Sequence, residues 1–170
     1  MSKRDLKKYL ASLPKEELEE QLLAMYEKFA EVKTYYNFVF NPKEDKLEQE
    51  AKLKISTEYF PPRGKRPKLR RGTAQKYIKH FLSLGVDPIV VSDVMLYNLE
   101  TAQKYTAKKE VSYDSFYKSM FNSYKQVVDY VAANGLTHDY KTRIEAVYKE
   151  AMRQHWDNRK EFERVYDNFE

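Results

Sequence analysis

The sequence predicts an all-α fold, and three observations support that prediction. Glycine occurs only four times in 170 residues, whereas Lys, Glu and Leu, which favour helices, are frequent. Apolar residues recur at steps of three and four along most of the chain, which is the spacing of one helix face. Pro, Asn, Asp and Gly separate these stretches. We expect a single domain over 1–170, a helical bundle or a short stack of helical hairpins, with about eight helices and no sheet.

Three helices are predicted before the first irregular stretch. A short helix over 2–12 begins with a capping box, and a long one over 14–40 carries an apolar stripe with no interruption. Asn41 is followed by a proline, so we expect it to cap a third helix, with Glu44 reaching back to the cap. Two consecutive prolines at 61–62 then end that helix, because the residue before a proline disfavours helical geometry.

The second part of the chain begins with a helix near 71–73 that ends at Gly85. Asp87 then caps a helix that begins with Pro88 and is the most apolar of all. Because it is apolar on more than one face, we expect it at the centre of the fold. Three further helices are predicted, over 112–135, 137–154 and 160–169.

Positive charge is concentrated in one segment. Residues 52–80 contain ten lysines and arginines and a single acid, Glu58, which gives a net charge of +9. The whole chain carries +5, so the remainder carries −4. Prolines and glycines within 61–72 predict an irregular connection at the centre of this segment.

The cations of this basic segment, 63–79, are candidates for binding a nucleic acid or another polyanion. Those on the loop and on the helix after it are Arg63, Lys65, Arg66, Lys68, Lys76 and Lys79. A cluster of this density can contact several phosphates, which makes binding steeply salt-dependent. The alternative is a solvated connection whose arginines pair with acids elsewhere. No zinc-finger spacing, RNP motif or leucine zipper accompanies the segment.

A second candidate set is polar and lies next to the expected core. Arg70 and Arg71 stand directly before a predicted helix start, and Tyr97, Asn98 and Glu100 lie on the most apolar helix. A polar group that is buried on such a helix must be paired, because an unpaired one costs about 1–3 kcal/mol. We therefore expect the two arginines to complete a buried polar network. We favour a structural role for it, and the alternative is a functional pocket.

Several classes of chemistry are disfavoured by what the sequence lacks. It has no cysteine, its three histidines lack a partner at metal-ligand spacing, and its four glycines are isolated. We therefore expect no catalytic residue, no metal and no cofactor. The leading interpretation is a non-catalytic interaction module with an unknown protein partner. Nucleic-acid binding is the alternative, and an enzyme with an unrecognised pocket is the third.

Location and assembly are constrained less by the sequence. No apolar run is long enough for a signal peptide or a membrane span, so we expect a cytoplasmic protein that does not enter a membrane. The sequence predicts no particular oligomeric state.

Four stretches of the sequence are distinctive. They are Leu-Lys-Lys-Tyr-Leu-Ala-Ser-Leu-Pro-Lys-Glu-Glu-Leu at 6–18, Asn-Pro-Lys-Glu-Asp-Lys-Leu at 41–47, Lys-Leu-Arg-Arg at 68–71 with Gln-Lys at 75–76, and Leu-Gly-Val-Asp-Pro at 84–88. Together they resemble a small bacterial all-helical family known only as a domain of unknown function, over most of the chain. The resemblance implies a small bacterial protein. It implies no activity, cofactor or partner, because the family has none assigned.

Overall fold

The computed structural model describes residues 1–169 and contains nine helices and no strand over that range. The all-α prediction is confirmed. The chain divides into two compact units, one covering residues 1–43 and the other beginning at Glu44. The irregular basic connection lies inside the second unit and not at the boundary.

The first unit consists of three helices, α1 (Lys3–Ala11), α2 (Lys15–Lys28) and α3 (Ala30–Phe40). The capping box predicted at the start of α1 is confirmed: the Ser2 hydroxyl accepts from the Asp5 amide at 3.2 Å, and the Asp5 carboxylate accepts from the Ser2 amide at 3.0 Å. Helices α2 and α3 pack against each other. None of the three helices contains a buried residue.

The expectation of one continuous helix over 14–40 is wrong, and this accounts for the ninth helix. Phe29 separates α2 from α3 with an extended backbone (φ −114°, ψ 117°), which lets the chain change direction so that α3 packs on α2. Neither proline nor glycine marks the break. Helix α3 is rich in aromatic and β-branched residues, which are weaker helix formers than those of α2.

The second unit is a packed bundle of six helices. They are α4 (Glu44–Tyr59), α5 (Arg71–Leu84), α6 (Pro88–Thr106), α7 (Asp114–Ala133), α8 (Thr137–Arg153) and α9 (Arg159–Asp167). Helix α6 packs against α4, α5, α7 and α8, and α9 packs against α7 and α8. The predicted central position of α6 is therefore confirmed.

Local signals place the start of α6 correctly. Gly85 ends α5 in the left-handed region (φ 75°), where glycine has no steric penalty. Asp87 then caps α6, its carboxylate accepting from the Ile89 amide at 2.8 Å. The Glu44 side chain does not reach back to Asn41 as expected. Glu44 is the first residue of α4, and its carboxylate accepts from the Asp87 amide at 3.1 Å. This hydrogen bond links the start of α4 to the start of α6.

Helix α6 combines a large buried area with buried polar groups. Eleven of its 19 residues are buried, and among them are Ser92, Asn98, Thr101 and Gln103. The Gln103 amide, for example, donates to the Val147 carbonyl of α8 at 2.7 Å. Within residues 1–169, neither α6 nor any other helix has the length and hydropathy needed to cross a bilayer.

Candidate functional site

The connection between α4 and α5 is tied to the end of α4. The backbone amides of Lys68 and Leu69 both donate to the carbonyl of Glu58, at 2.9 and 3.2 Å. Leu69 has a positive φ of 52°, a conformation that a leucine adopts only at a cost in strain. The second half of the connection is therefore held in place by specific backbone contacts.

Glu58, the one acid within 52–80, already has cationic and neutral partners. Arg70 donates from Nε to Oε2 at 3.1 Å and from Nη2 to Oε1 at 3.0 Å, and the Thr73 hydroxyl donates to Oε1 at 2.9 Å. The hydrogen bond from Arg70 is the main cause that holds the pKa of Glu58 below its usual value. This cluster joins the end of α4 to the start of α5.

Arg71 is a half-buried cation whose two hydrogen-bond acceptors are neutral. Its Nε donates to the Ser123 hydroxyl at 2.7 Å, and its Nη2 donates to Gln126 Oε1 at 3.0 Å. Burial lowers the pKa of Arg71. Gln75 also donates to Gln126 Oε1, at 2.8 Å, so both side chains of α5 are fixed to α7.

The six cations predicted to bind a polyanion are all exposed. They are Arg63, Lys65, Arg66, Lys68, Lys76 and Lys79. None of them belongs to the ion pairs that form within residues 1–169. Three acids on α4 have other contacts, since Glu44 accepts from Asp87, Glu48 from Lys52 and Glu50 from Tyr77. The positive charge of the loop therefore faces solvent.

The expected polar network does not form as one cluster. Asn98 is buried and accepts from the Tyr59 hydroxyl at 3.2 Å. Burial raises the pKa of Tyr59, which keeps that hydroxyl a donor. Tyr97 instead lies under Lys52, whose Nζ is 5.6 Å from the ring centroid.

The two arginines expected to complete that network face other helices. Arg70 turns to Glu58 at the end of α4, and Arg71 turns to α7. Glu100 pairs with Arg143 of α8 instead. The difference arises because the start of α5 lies between α4 and α7, whereas Glu100 is on the side of α6 that faces α8.

Arg143 is the polar residue that sequence reasoning missed. It donates to both Glu100 oxygens, with Nη2 to Oε2 at 3.2 Å, and its Nη1 donates to Asp93. The Tyr140 hydroxyl also donates to Asp93, at 3.0 Å. Burial opposes the charge of Arg143, but the hydrogen bonds and charges of Glu100 and Asp93 outweigh it, so its pKa is raised. The signal in the sequence that could have identified Arg143 is its position next to Ile144, which belongs to the apolar stripe of α8.

A polar cleft lies where the α6–α7 connection meets the α8–α9 connection. Its volume is about 580 Å³, and its lining includes Lys109, Glu110, Tyr117, His155 and Asp157. None of the predicted site residues lines it. Its charges are mixed, and the described residues contain no group of three His, Asp or Glu that could hold a metal ion. The cleft therefore indicates no particular class of ligand.

Exposed apolar residues are concentrated in the first unit. Eleven of the sixteen large apolar side chains that are exposed within 1–169 precede residue 44. We call ten of them the N-terminal apolar surface: Leu6, Tyr9, Leu10, Leu22, Leu23, Met25, Phe29, Tyr35, Val39 and Phe40. The most exposed of these are Phe40, at 81%, and Leu23, at 63%.

Comparison with known proteins gives a family and no activity. Neither the curated proteins nor the solved structures contain a significant match to the chain. One protein-family model matches residues 1–170, and its description is that of a family of unknown function. The match covers the entire chain, which confirms the resemblance of the four sequence stretches. The chain therefore belongs to the family of unknown function DUF6155.

Proposed function

We propose that the protein is a non-catalytic interaction protein, and that residues 1–43 bind another polypeptide through the N-terminal apolar surface. The observation behind this proposal is that the first unit exposes ten large apolar side chains and that its three helices bury none. Helices of a stable domain bury their apolar face against another layer. Exposed apolar patches larger than a few hundred Å² are typical of interaction sites.

The composition of the surface supports this role. Four of its ten members are phenylalanine or tyrosine, four are leucine and one is methionine. Aromatic residues and methionine are enriched at the centres of protein interfaces, where a few large side chains carry most of the binding energy. Phe40 and Leu23 are the best candidates for such residues because they are the most exposed.

The polar clusters of the second unit support a non-catalytic protein. The Glu58 cluster joins α4 to α5, Arg71 joins α5 to α7, and Arg143 joins α6 to α8. Each brings its charges together with hydrogen-bond partners on a neighbouring helix. A catalytic site would instead direct such groups into a cleft that a substrate can enter.

Site-specific photo-crosslinking tests the proposal. A photoreactive amino acid replaces Leu23 in the full chain, which is produced in its native cells and irradiated, and the adducts are identified by mass spectrometry. We expect one specific polypeptide adduct. The matched control is Leu53 on α4, which is 65% exposed but lies outside the N-terminal apolar surface. Adduct formation at Leu53 equal to that at Leu23, or none at either position, would contradict the proposal.

The basic segment supports a second candidate function, the binding of a nucleic acid or another polyanion. The supporting observation is that its six exposed cations have no acidic partner within the described chain. A fluorescence anisotropy titration with mixed-sequence RNA and DNA at low salt is the test. Replacing Arg63, Lys65 and Arg66 by glutamine should reduce the affinity and lower the slope of log K against log salt by about 3.

The control for this titration removes the same charge elsewhere. Lys104, Lys125 and Lys160 are exposed on other helices, so their replacement by glutamine changes the net charge equally. We expect a much smaller loss of affinity in this variant. No measurable binding by the native chain at low salt would exclude this second function.

A further inference from the structure

We infer that the polypeptide bound by the N-terminal apolar surface is a second copy of this chain, in a symmetric dimer in which α1 of each copy lies against α2 of the other. This inference rests on the proposed function, because it identifies the partner of the same surface. Three features of the first unit support it: its charges, the packing of its helices and its area.

The charges of α1 and α2 are opposite. Helix α1 contains four basic residues and one acid, a net charge of +3, and α2 contains five acids and two lysines, a net charge of −3. A two-fold interface places the same surface on both sides, so it must be complementary to itself. In the proposed dimer the positive α1 of each copy lies against the negative α2 of the other copy. The same favourable pairing therefore occurs twice.

The helix packing leaves α1 with unused apolar surface. Within the first unit α2 packs against α3, whereas α1 and α2 do not form a closely packed pair. The two are linked by a hydrogen bond from Gln21 Nε2 to the Tyr9 hydroxyl, at 3.1 Å. Leu6, Tyr9 and Leu10 are therefore exposed along one face of α1, at the spacing of a helix stripe.

Helix α2 presents its most exposed apolar side chain among its acids. Leu23 is 63% exposed, and Glu19, Glu20 and Glu27 lie three or four positions from it, so they share its face of the helix. On α1, Lys3 and Lys7 likewise lie three positions from Leu6 and Leu10. Apolar contact along the centre with opposite charges at the edge is the usual arrangement of a helix–helix interface.

The area is sufficient for a dimer. An aromatic side chain has about 150–250 Å² of surface and a leucine, methionine or valine has less, so these ten at roughly half exposure present no more than about 1,000 Å². A stable interface of standard size covers about 800 Å² on each partner. Seven of the ten lie on α1, on α2 or at Phe29, so these residues supply most of this requirement, and the charged side chains beside them supply the rest.

Sedimentation equilibrium of the purified full chain over a range of concentrations is the first test. We expect a monomer–dimer equilibrium, and we expect Leu23→Glu to weaken it at least ~10-fold because it places a charge in the apolar interface. Leu53→Glu is the matched control and should leave the dissociation constant within about 2-fold of native. A monomer at all concentrations overturns the inference, as does an equal effect of the two substitutions.

A charge exchange tests the pairing of α1 with α2. One variant is Lys3→Glu with Lys7→Glu on α1, and the other is Glu20→Lys with Glu27→Lys on α2. Lys3 lies in the first turn of α1 and Glu27 near the end of α2, so these changes suit the helix dipoles. We expect each variant alone to dimerise at least ~10-fold more weakly, and an equimolar mixture to regain an affinity near native.

The outcomes of these experiments are distinct. Failure of the mixture to dimerise better than either variant overturns the symmetric pairing. A native chain that remains monomeric, with a crosslink from position 23 to a different protein, overturns this inference and leaves the proposed function standing. The absence of both a dimer and a crosslink contradicts this inference and the proposed function alike. A crosslink between two copies, with charge rescue, supports both.

Discussion

Helices α2 and α6 both carry leucine, methionine and tyrosine at helical spacing, but they differ in what covers those residues. Eleven residues of α6 are buried, and none of α2 is. Helix α6 packs against four other helices, whereas α2 packs against α3 within a unit of three helices. The comparison teaches that periodicity identifies an apolar face but does not identify what covers it. For α6 the cover is the same bundle, and for α2 we propose a second copy of the chain.

The largest expected effect is the loss of a core side chain in the second unit. Phe162 is fully buried, with its ring centroid 4.8 Å from that of Tyr124 and 5.6 Å from that of Trp156. We expect Phe162→Ala to lower the free energy of unfolding by about 3–5 kcal/mol, because it removes apolar burial and leaves a cavity. Urea denaturation followed by circular dichroism measures this. A loss below about 1 kcal/mol would mean that the bundle core is not packed as described.

The next effect is the removal of the cation between α6 and α8. Arg143→Leu removes the cation that pairs with Asp93 and Glu100, and about a third of each of the three side chains is exposed. We expect a loss of about 2–3 kcal/mol in unfolding free energy, below that of a fully buried pair. Arg153→Leu, which removes an exposed pair with Glu150, is the control and should cost about 0–1 kcal/mol. Equal losses in the two variants would show that the Arg143 cluster contributes no more to the unfolding free energy than an exposed ion pair does.

A smaller effect with a defined pH dependence is expected at Glu58. Its pKa is lowered in the folded state, mainly by the hydrogen bond from Arg70, so the carboxylate adds stability above its unfolded pKa. That contribution is lost as the pH falls through the folded pKa. We expect Glu58→Gln to cost about 1 kcal/mol at pH 7, since Arg70 is mostly exposed, and progressively less below pH 4.

Urea denaturation at pH 7 and at pH 3 measures this dependence. The native chain should approach the stability of the variant at pH 3, where Glu58 is protonated in the unfolded chain. A difference between the two proteins that is equal at both pH values would contradict the assignment. It would place the effect of the substitution in packing rather than in charge.

The smallest effect on unfolding is expected at the residue that is most exposed on the N-terminal apolar surface. Phe40→Ala should change the unfolding free energy by no more than about 0.5 kcal/mol at concentrations where the chain is monomeric. The same change should weaken dimerisation, because interface phenylalanines contribute to binding rather than to folding. A loss of about 2 kcal/mol or more in the monomer would indicate that Phe40 belongs to a core.

Much of the fold could be predicted because its signals are local. Asp87 followed by proline, Gly85 and the apolar stripes each depend on a few neighbouring residues, and they place the starts and ends of α5 and α6 correctly. The break at Phe29 could not be predicted in this way. It depends on the packing of α3 on α2, and no proline or glycine marks it.

The candidate sites also divide into features that local sequence predicts and features that depend on contacts between helices. The exposure of Arg63, Lys65, Arg66 and Lys68 follows from their position in a Pro- and Gly-containing loop, and Lys76 and Lys79 are exposed on α5. The partners of Arg70, Arg71 and Glu100 depend on which helices lie side by side, and sequence neighbourhood does not determine that. Arg143 was missed for this reason, since its two carboxylates lie 43 and 50 positions away in the chain.

Hydrogen–deuterium exchange at two protein concentrations tests the difference between the two units most directly. The native full chain is labelled at a concentration well below the dimer dissociation constant and at one well above it, and the exchange of each helix is read by mass spectrometry. We predict that protection increases with concentration in α1, α2 and α3, and that α6 is unchanged. Equal exchange of α1–α3 at both concentrations, or an equal increase in α6, would contradict the central claim that residues 1–43 bind a second copy.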